Sequence, residues 1–509
     1  MRILLINPPY PFTEFPIIPM GLLYLAAVLE NRGYEVDVLD LLVSKYSKDK
    51  IRGKLNEYQP DVVGVTSVTM NYPVASDILK FCKSVDKDIL TIIGGPHVTF
   101  APMETLNEAP WIDIVVRGEG EETLLDIVSG KNLEYVDGIA FRSDDSEIKV
   151  TGERSLITNL DELPLPARHL FPLSRYHALA AHCSLVTGRG CPFNCIFCVG
   201  SKMGGRRARF RDPQLVVDEI EHALTYGFKE VNVEDDLFTL NHKHLHAICD
   251  EILARDLKFE WSVFARVDTV NPDVLQKLRK AGCTWLCYGI ESGNQHILDL
   301  VKKKITLEKI RDSVKMAHDA DLNVLASFII GLPGETKETL EQTLRFAQEL
   351  DTFYGLHVLA PFPGTEVREK ADEYGIEILT SDWSKYDANR PVTRTKDASP
   401  EDITATLHKY YRGLRLTPDA LAGTQSAEQA ALERDKRRSP LAWSLVSGDI
   451  IESLGSIEDK GDPVNDLADK LSRLVPYSQQ KISENVTGWL EKGFLKYELK
   501  DGHLFWRWS

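Results

Sequence analysis

Apolar positions in the first 140 residues come in short unbroken runs rather than in strict alternation. RILLIN, PDVVGVTSV, ILTIIGG and IDIVVRGEG each hold a Val/Ile/Leu block, YEVDVLD reads as a further strand, and most end in glycine or small polar residues. Segments with helical spacing separate them, such as GLLYLAAVLENRG, which stops at Gly33. Runs buried on both faces with helices between them predict a doubly wound, Rossmann-like parallel sheet. Sheets of this kind bind ligands beyond the carboxyl ends of their strands. Those ends here read NPPYP, TSVTMN, GGPHVT and GEGEET.

A proline-dense stretch, LPLPARHLFPL, marks residues 141–180 as a linker. A second α/β series begins near Ser184, with strands SLVTGRG, EVNVEDD, FEWSVFARVD, TWLCYGIESG, NVLASFIIGLPGE and GLHVLAPFPGT. Helical patterns such as PQLVVDEIEHALTYG and TKETLEQTLRFAQEL lie between them. Six βα units predict a partial (βα)6 barrel, short of the closed eight-unit form. The remainder reads as a mostly helical C-terminal region, with a charged linker or exposed helix expected at 421–440. Near the end, QQKISENVTGWLEKG sets Ile482, Val486, Trp489 and Leu490 on one helical face. FLKYELKDGHLFWRWS then alternates around Asp501-Gly502, a type I′ hairpin turn. Helix and hairpin together predict a winged-helix-like end. The domain boundaries expected are 1–140, 141–180, 181–380 and 381–509.

At 509 residues the chain exceeds a single core. Its 43% hydrophobic and 27% charged residues are those of a globular protein. A formal net charge of −16 speaks against nucleic-acid or anionic-membrane partners. No apolar run reaches the roughly 20 residues of a membrane span, and MRILLINPPYPF reads into a strand rather than a signal peptide. Cysteines are too sparse for a disulfide scaffold, so a cytoplasmic location is expected. A Ser/His/Asp triad or paired-carboxylate hydrolase finds no support. Glu234, Asp235 and Asp236 are consecutive, and neighbouring strand residues face opposite ways.

Three of the chain's eight cysteines fall within GRGCPFNCIFCVG, at Cys191, Cys195 and Cys198. Cys82, Cys249, Cys283 and Cys287 read as small buried hydrophobes, and Cys183 has no ligand-like spacing to the group. A zinc site would want a fourth protein ligand, and none with familiar spacing is near. Three thiolates on a cubane iron–sulfur cluster leave one iron open to N and O atoms of a substrate or cofactor. The other five cysteines form no CxxC, so one cluster is expected.

With this C-x3-C-x2-C loop after the first barrel strand, the chain resembles the radical S-adenosylmethionine (SAM) superfamily. The resemblance implies one 4Fe-4S cluster whose open iron chelates the amino and carboxylate groups of SAM. It further implies one-electron cleavage of SAM to a 5′-deoxyadenosyl radical, with an electron donor such as flavodoxin or ferredoxin. Phe197 matches the aromatic near adenine, and Glu234 and Asp235, with Asp236, end the second strand facing the cofactor. Arg266 in ARVD is expected to pair with the SAM carboxylate. Gly289, Glu291 and Ser292 in YGIESG approach its ribose and amino group, and Gly331, with Pro333 and Gly334, turns beside adenine.

The first domain has no GxGxxG and no Walker A loop. Directly upstream of such a barrel it resembles the cobalamin-binding domain of cobalamin-dependent radical SAM enzymes of the class B methyltransferase-like type, over roughly residues 1–380. The carriers are NPPYP, PMGLLYLAAVLENRGYEVDVLD, GVTSVTMNYP, GGPHVTF and VVRGEGEETL. Expected cobalamin contacts are Pro9, Tyr10, Thr66, Ser67, Val68, Gly94, Gly95, His97, Gly118 and Glu119, the small residues among them letting backbone approach a large planar ligand. The DxHxxG motif is absent, so no histidine is expected on cobalt. The implied activity is methylation of an unactivated carbon of a small molecule or peptide. The alternatives are non-methylating cyclisation, oxidation or rearrangement with the same cofactors, as in the anaerobic tetrapyrrole cyclase, and, remotely, a DNA-binding regulator using the winged end.

Overall fold

The computed structural model describes residues 1–11, 16–143, 145–415 and 440–509, with backbone only at 411–415. The Val/Ile runs form the strands β1 (Arg2–Asn7), β2 (Glu35–Asp40), β3 (Val62–Thr66), β4 (Leu90–Gly94) and β5 (Ile114–Val116). They pair in parallel in the order β2-β1-β3-β4-β5. Both faces carry helices. Leu4, Ile6, Val63, Val65 and Ile93 pack into one apolar layer, while Ile3, Leu5, Val62 and Ile92 pack into the other. Two strands too short to read from periodicity, β6 (Ile139–Arg142) and β7 (Ile148–Val150), extend the sheet antiparallel and carry it to residue 150.

The second series is a six-stranded parallel sheet, β8 (Cys183–Leu185), β11 (Glu230–Val233), β12 (Glu260–Ala265), β13 (Cys283–Glu291), β14 (Asn323–Ile330) and β15 (Phe353–Val358). Its order, β8-β11-β12-β13-β14-β15, is that of an incomplete barrel. A two-residue pair, β9 (Gly188–Arg189) with β10 (Arg209–Phe210), brackets the cysteine loop. The segment between the sheets is tied to the barrel by a buried charge. Arg168 Nη2 donates to Ser184 O at 2.8 Å and to Glu219 Oε1 at 2.7 Å, and neither side chain touches solvent.

After β16 (Ile376–Ile378) and β17 (Thr393–Thr395), the C-terminal region is mainly helical and ends in a small sheet. There β18 (Ser456–Glu458), β20 (His503–Trp508) and β19 (Leu495–Lys500) lie in that order beside helices Pro463–Ser472 and Gln479–Glu491. Ile482, Val486 and Trp489 are buried, and Asp501 and Gly502 both have positive φ (50° and 73°), as a type I′ turn requires. The 421–440 stretch lies outside the described residues, Pro440 excepted. Among the described residues no helix is long and apolar enough to cross a membrane.

Candidate functional site

The carboxyl ends of the two sheets face each other across a cavity of about 420 Å³. Thr66, Gly94, Gly95, Gly118 and Glu119 line it from the first sheet, and Arg189, Met203, Glu234 and Asp236 from the barrel. Backbone contact sets the floor. Gly95 has φ +105°, and a Cβ there would stand 2.3 Å from Ser67 O, while Ser67 N donates to Gly94 O at 2.8 Å. The loops after β3 and β4 therefore touch main chain to main chain, which leaves room above them for a wide ligand.

Not every expected cobalamin residue reaches this space. Ser67 is fully buried and gives its hydroxyl to Gly94 O. Val68 donates its N–H to Asn71 Oδ1, and Pro9 and Tyr10, half-buried past β1, lie off the lining. The ring of His97 turns away altogether. It stacks on Tyr72 with centroids 4.2 Å apart and meets Trp383 edge-on at 4.9 Å. Burial, with Arg368 nearby, pushes its pKa down to about 3, so the imidazole is neutral. The Glu119 carboxylate faces the cavity but is spent on Arg189, Arg209 and the amide of Ile157. It clamps the first sheet to the cysteine-loop hairpin.

The acidic triplet after β11 positions that loop. Asp235 accepts from Thr187 N at 2.6 Å, Thr187 Oγ1 at 2.5 Å and Gly188 N at 3.1 Å. Burial raises its pKa to about 7, against those donors. Its expected place facing the cofactor is therefore corrected: Asp235 points into the protein. Asp236 and Glu234 point to the cavity, and Asp236 accepts from Gly190 N at 2.8 Å. Gly190, at φ +102°, lets the chain cross Gly204 O, which a Cβ would approach to 2.7 Å.

The three thiols sit on the outer arc of this loop, Cys191 and Cys195 half-buried and Cys198 exposed. Cys191 N donates to Gly205 O at 3.0 Å, and Gly200 N points at Cys198 Sγ from 3.3 Å. The Arg266 guanidinium stacks on Phe193, 3.6 Å from its centroid, with Nη1 4.0 Å from Cys195 Sγ. Desolvation of the sulfur atom raises all three thiol pKa values, that of Cys198 to about 11 although the residue as a whole is exposed, and a bound metal would supply the charge that deprotonates them. Among the described residues no three His, Cys, Asp or Glu side chains converge tightly enough for a single ion. A cubane differs, since it spreads its thiolates over separate irons. Amide and guanidinium donors beside sulfur suit such an anionic group.

Arg266 does not present a free charge. Nε and Nη2 hold both oxygens of Asp268 at 2.9 and 3.0 Å, and Nη2 also donates to Lys303 O. The cation with capacity to spare is Lys303, whose Nζ lies 2.7 Å from Glu291 Oε1, both residues buried. Nothing in the periodicity of DLVKKKIT marks its middle lysine as buried. Gly289 makes room for the pair, since a Cβ would fall 2.6 Å from Glu291 Oε1 and 3.0 Å from Lys303 Nζ. Ser292 is turned under the barrel onto Thr343 Oγ1 and leaves the site. Phe197 packs beside Ile196, Ile297, Val301 and Leu332, against the fifth-strand turn.

That turn is organised by Glu335, absent from the expected set. Gly331 N and Leu332 N donate to its Oε2 at 2.5 and 3.0 Å, and Gly331 has φ +84°. Burial outweighs both bonds and lifts its pKa to about 8. A folded-state value above the unfolded one means the native protein binds the extra proton. The stabilisation is full below about pH 4.5 and is lost as pH climbs to about 8. Glu335→Gln should remove this slope, gaining stability relative to the parent between pH 5.5 and 8.5 in urea unfolding. Parallel pH curves for the two proteins would refute the assignment.

The family described as the radical SAM superfamily matches residues 185–347, and the one described as the B12 binding domain matches 13–128. The chain is 36% identical over 433 residues to an uncharacterized methyltransferase of Pyrococcus horikoshii, covering 83% of this chain and 94% of that protein. It is 32% identical over 433 residues to the anaerobic magnesium-protoporphyrin IX monomethyl ester cyclase of Cereibacter sphaeroides, covering 81% and 70%. In fold it is similar to the radical SAM methyltransferase TsrM of Kitasatospora setae, solved with tryptophan and a SAM analog. There the TM-score is 0.65 at 20% identity, over 80% of this chain and 88% of that one.

Proposed function

The chain belongs to the radical SAM superfamily, in the group that carries a B12 binding domain, and from that premise we propose that it methylates an unactivated carbon. The observation that carries the reading is the shared cavity: the glycine-floored mouth of the first sheet opens directly onto the cysteine-loop barrel. When bound, the 4Fe-4S cluster, SAM and cobalamin supply one-electron cleavage of SAM and a transferable methyl group. The chain's own work is binding, placement and exclusion of water. Cys191, Cys195 and Cys198 hold the cluster, with Asp235 and Asp236 fixing their loop. Thr66, Gly94, Gly95 and Gly118 receive the corrin, with no histidine on cobalt, a reading supported by the burial of His97 between Tyr72 and Trp383. Phe197, Glu234, Gly289, Glu291 and Gly331 flank SAM.

Residues 1–140 form the cobalamin unit, 141–180 the connector that lends β7 to its edge, 181–380 the barrel, and 381–509 the cover over the substrate. The electron donor is flavodoxin- or ferredoxin-like, and the setting cytoplasmic. The sparse, unpaired cysteines support that setting.

The test is anaerobic reconstitution with cobalamin and methyl-labelled SAM. Methylation gives a product heavier by one labelled methylene, with one 5′-deoxyadenosine and one S-adenosylhomocysteine per turnover. The 32% identity to the cyclase favours a second reading, radical oxidation or cyclisation without net methylation. Loss of hydrogens or gain of oxygen in the product, with the label recovered in methionine and none in the product, decides for it. Absence of 5′-deoxyadenosine overturns both.

A further inference from the structure

The chain carries a formal net charge of −16, yet between Arg189 and Arg211 its charged residues are Arg189, Lys202, Arg206, Arg207, Arg209 and Arg211, without one Asp or Glu. That run is the cysteine loop and the hairpin around it. Arg189 and Arg209 are turned inward onto Glu119, and Arg211 onto Glu219. Lys202 is balanced at the surface by Glu369. The side chains of Arg206 and Arg207 are exposed and make no hydrogen bond or ion pair with the described residues. They hold nothing together in the fold, and their field points outward.

Backbone contacts fix where these charges stand. Cys191 N donates to Gly205 O at 3.0 Å, and a Cβ on Gly190 would come within 3.1 Å of Arg207 O. The arginine pair therefore borders the cysteine loop on one side. On the other, Ile196 N donates to Val301 O at 3.2 Å, and Lys302 O lies 4.0 Å from Cys195 Sγ. Lys302 is balanced by Glu366, but Lys304 is exposed and has no partner among the described residues. Between the two basic edges, Pro192 and Asn194 reach solvent. Each adjoins a cysteine of the motif, so little chain separates the thiol loop from the outside.

We propose that this face docks a small acidic one-electron carrier protein, with Arg206 and Arg207 on one side of the cysteine loop and Lys304 on the other. This rests on the reading that the three cysteines hold a 4Fe-4S cluster, and it locates the surface that receives the donor. One electron leaves the reduced carrier and enters the oxidised cluster; no bond forms or breaks. Complementary charge speeds and orients such an encounter more than it tightens it. That suits a partner that must leave after each delivery. A long polyanion such as DNA would meet the negative charge of the rest of the chain, whereas a small acidic protein needs only this patch.

The test uses the reconstituted protein with SAM under strict anaerobiosis. It measures equilibrium binding of an acidic ferredoxin and the rate of 5′-deoxyadenosine formation. The rate is driven either by that ferredoxin, well below saturation, or by reduced methyl viologen, a small cation that needs no docking. Arg206→Glu/Arg207→Glu should weaken ferredoxin binding and slow the ferredoxin-driven rate by at least about 10-fold at about 0.05 M salt. The methyl viologen rate should stay within about 2-fold of the parent. The ferredoxin gap should close towards about 0.5 M salt, where exposed charges are screened. Lys304→Glu should give a smaller loss, and Arg206→Gln/Arg207→Gln an intermediate one that removes attraction without adding repulsion. Iron content and melting curves of all variants should match the parent, since these side chains touch nothing in the fold. Equal slowing with both reductants, a ferredoxin effect that salt does not change, or tighter binding of a short duplex DNA than of ferredoxin overturns the proposal. Failure of the family reading looks different: the parent then holds no cluster and makes no 5′-deoxyadenosine with either reductant.

Discussion

Cys195→Ala is expected to lose the iron–sulfur cluster while keeping the fold. Two thiolates cannot hold a cubane that needs three protein ligands beside the iron left for SAM. Iron after anaerobic reconstitution should fall from about four per chain to below about one, and 5′-deoxyadenosine should become undetectable. Cys195 is half-buried on a loop whose shape comes from elsewhere: Asp235 on Thr187 and Gly188, Asp236 on Gly190, and Gly205 O on Cys191 N. Thermal unfolding should therefore move little. Cys249→Ala is the contrast. That thiol lies in the barrel core, so its loss should lower stability by about 1 kcal/mol and leave iron unchanged. A Cys195→Ala protein with a full cubane would sink the account of the loop.

The second large effect is expected at Gly95, where an alanine methyl would sit 2.3 Å from Ser67 O and 2.8 Å from Ser67 N. Both neighbours are main-chain atoms and cannot rotate aside. The backbone at φ +105° adds its own penalty for any residue with a Cβ. Gly95→Ala should cost about 3 kcal/mol or more in chemical unfolding. It should also lift the loops after β3 and β4 into the cavity, so that cobalamin retained per chain, read by absorbance, drops by at least about tenfold (about 1.4 kcal/mol). Gly21→Ala tests the reasoning from the same cavity, because a Cβ at Gly21 meets nothing within 4 Å. Stability there should hold or rise slightly, as for alanine in a helix. If Gly95→Ala unfolds like the parent and still retains cobalamin, the loops do not form a main-chain floor.

Chain pattern alone determined the two sheets, since Val/Ile runs buried on both faces leave few other arrangements. It also determined the cysteine loop, because ligand number and spacing are local properties. The short edge pair β6–β7 escaped, being too brief to show a period. Side-chain direction beyond the strand ends was decided only by tertiary structure. Alternation stops at the last paired residue, and from there the partner sets the course. Asp235 is drawn inward by the amides of Thr187 and Gly188, Ser292 by Thr343, and His97 by Tyr72 and Trp383. Arg266 is consumed by Asp268, and Lys303 is buried because Glu291 awaits it from a neighbouring strand end. These partners stand up to 286 positions apart in the chain, as with His97 and Trp383. Local pattern holds no record of such distant pairings, because burial and electrostatic compensation are settled only when the elements meet.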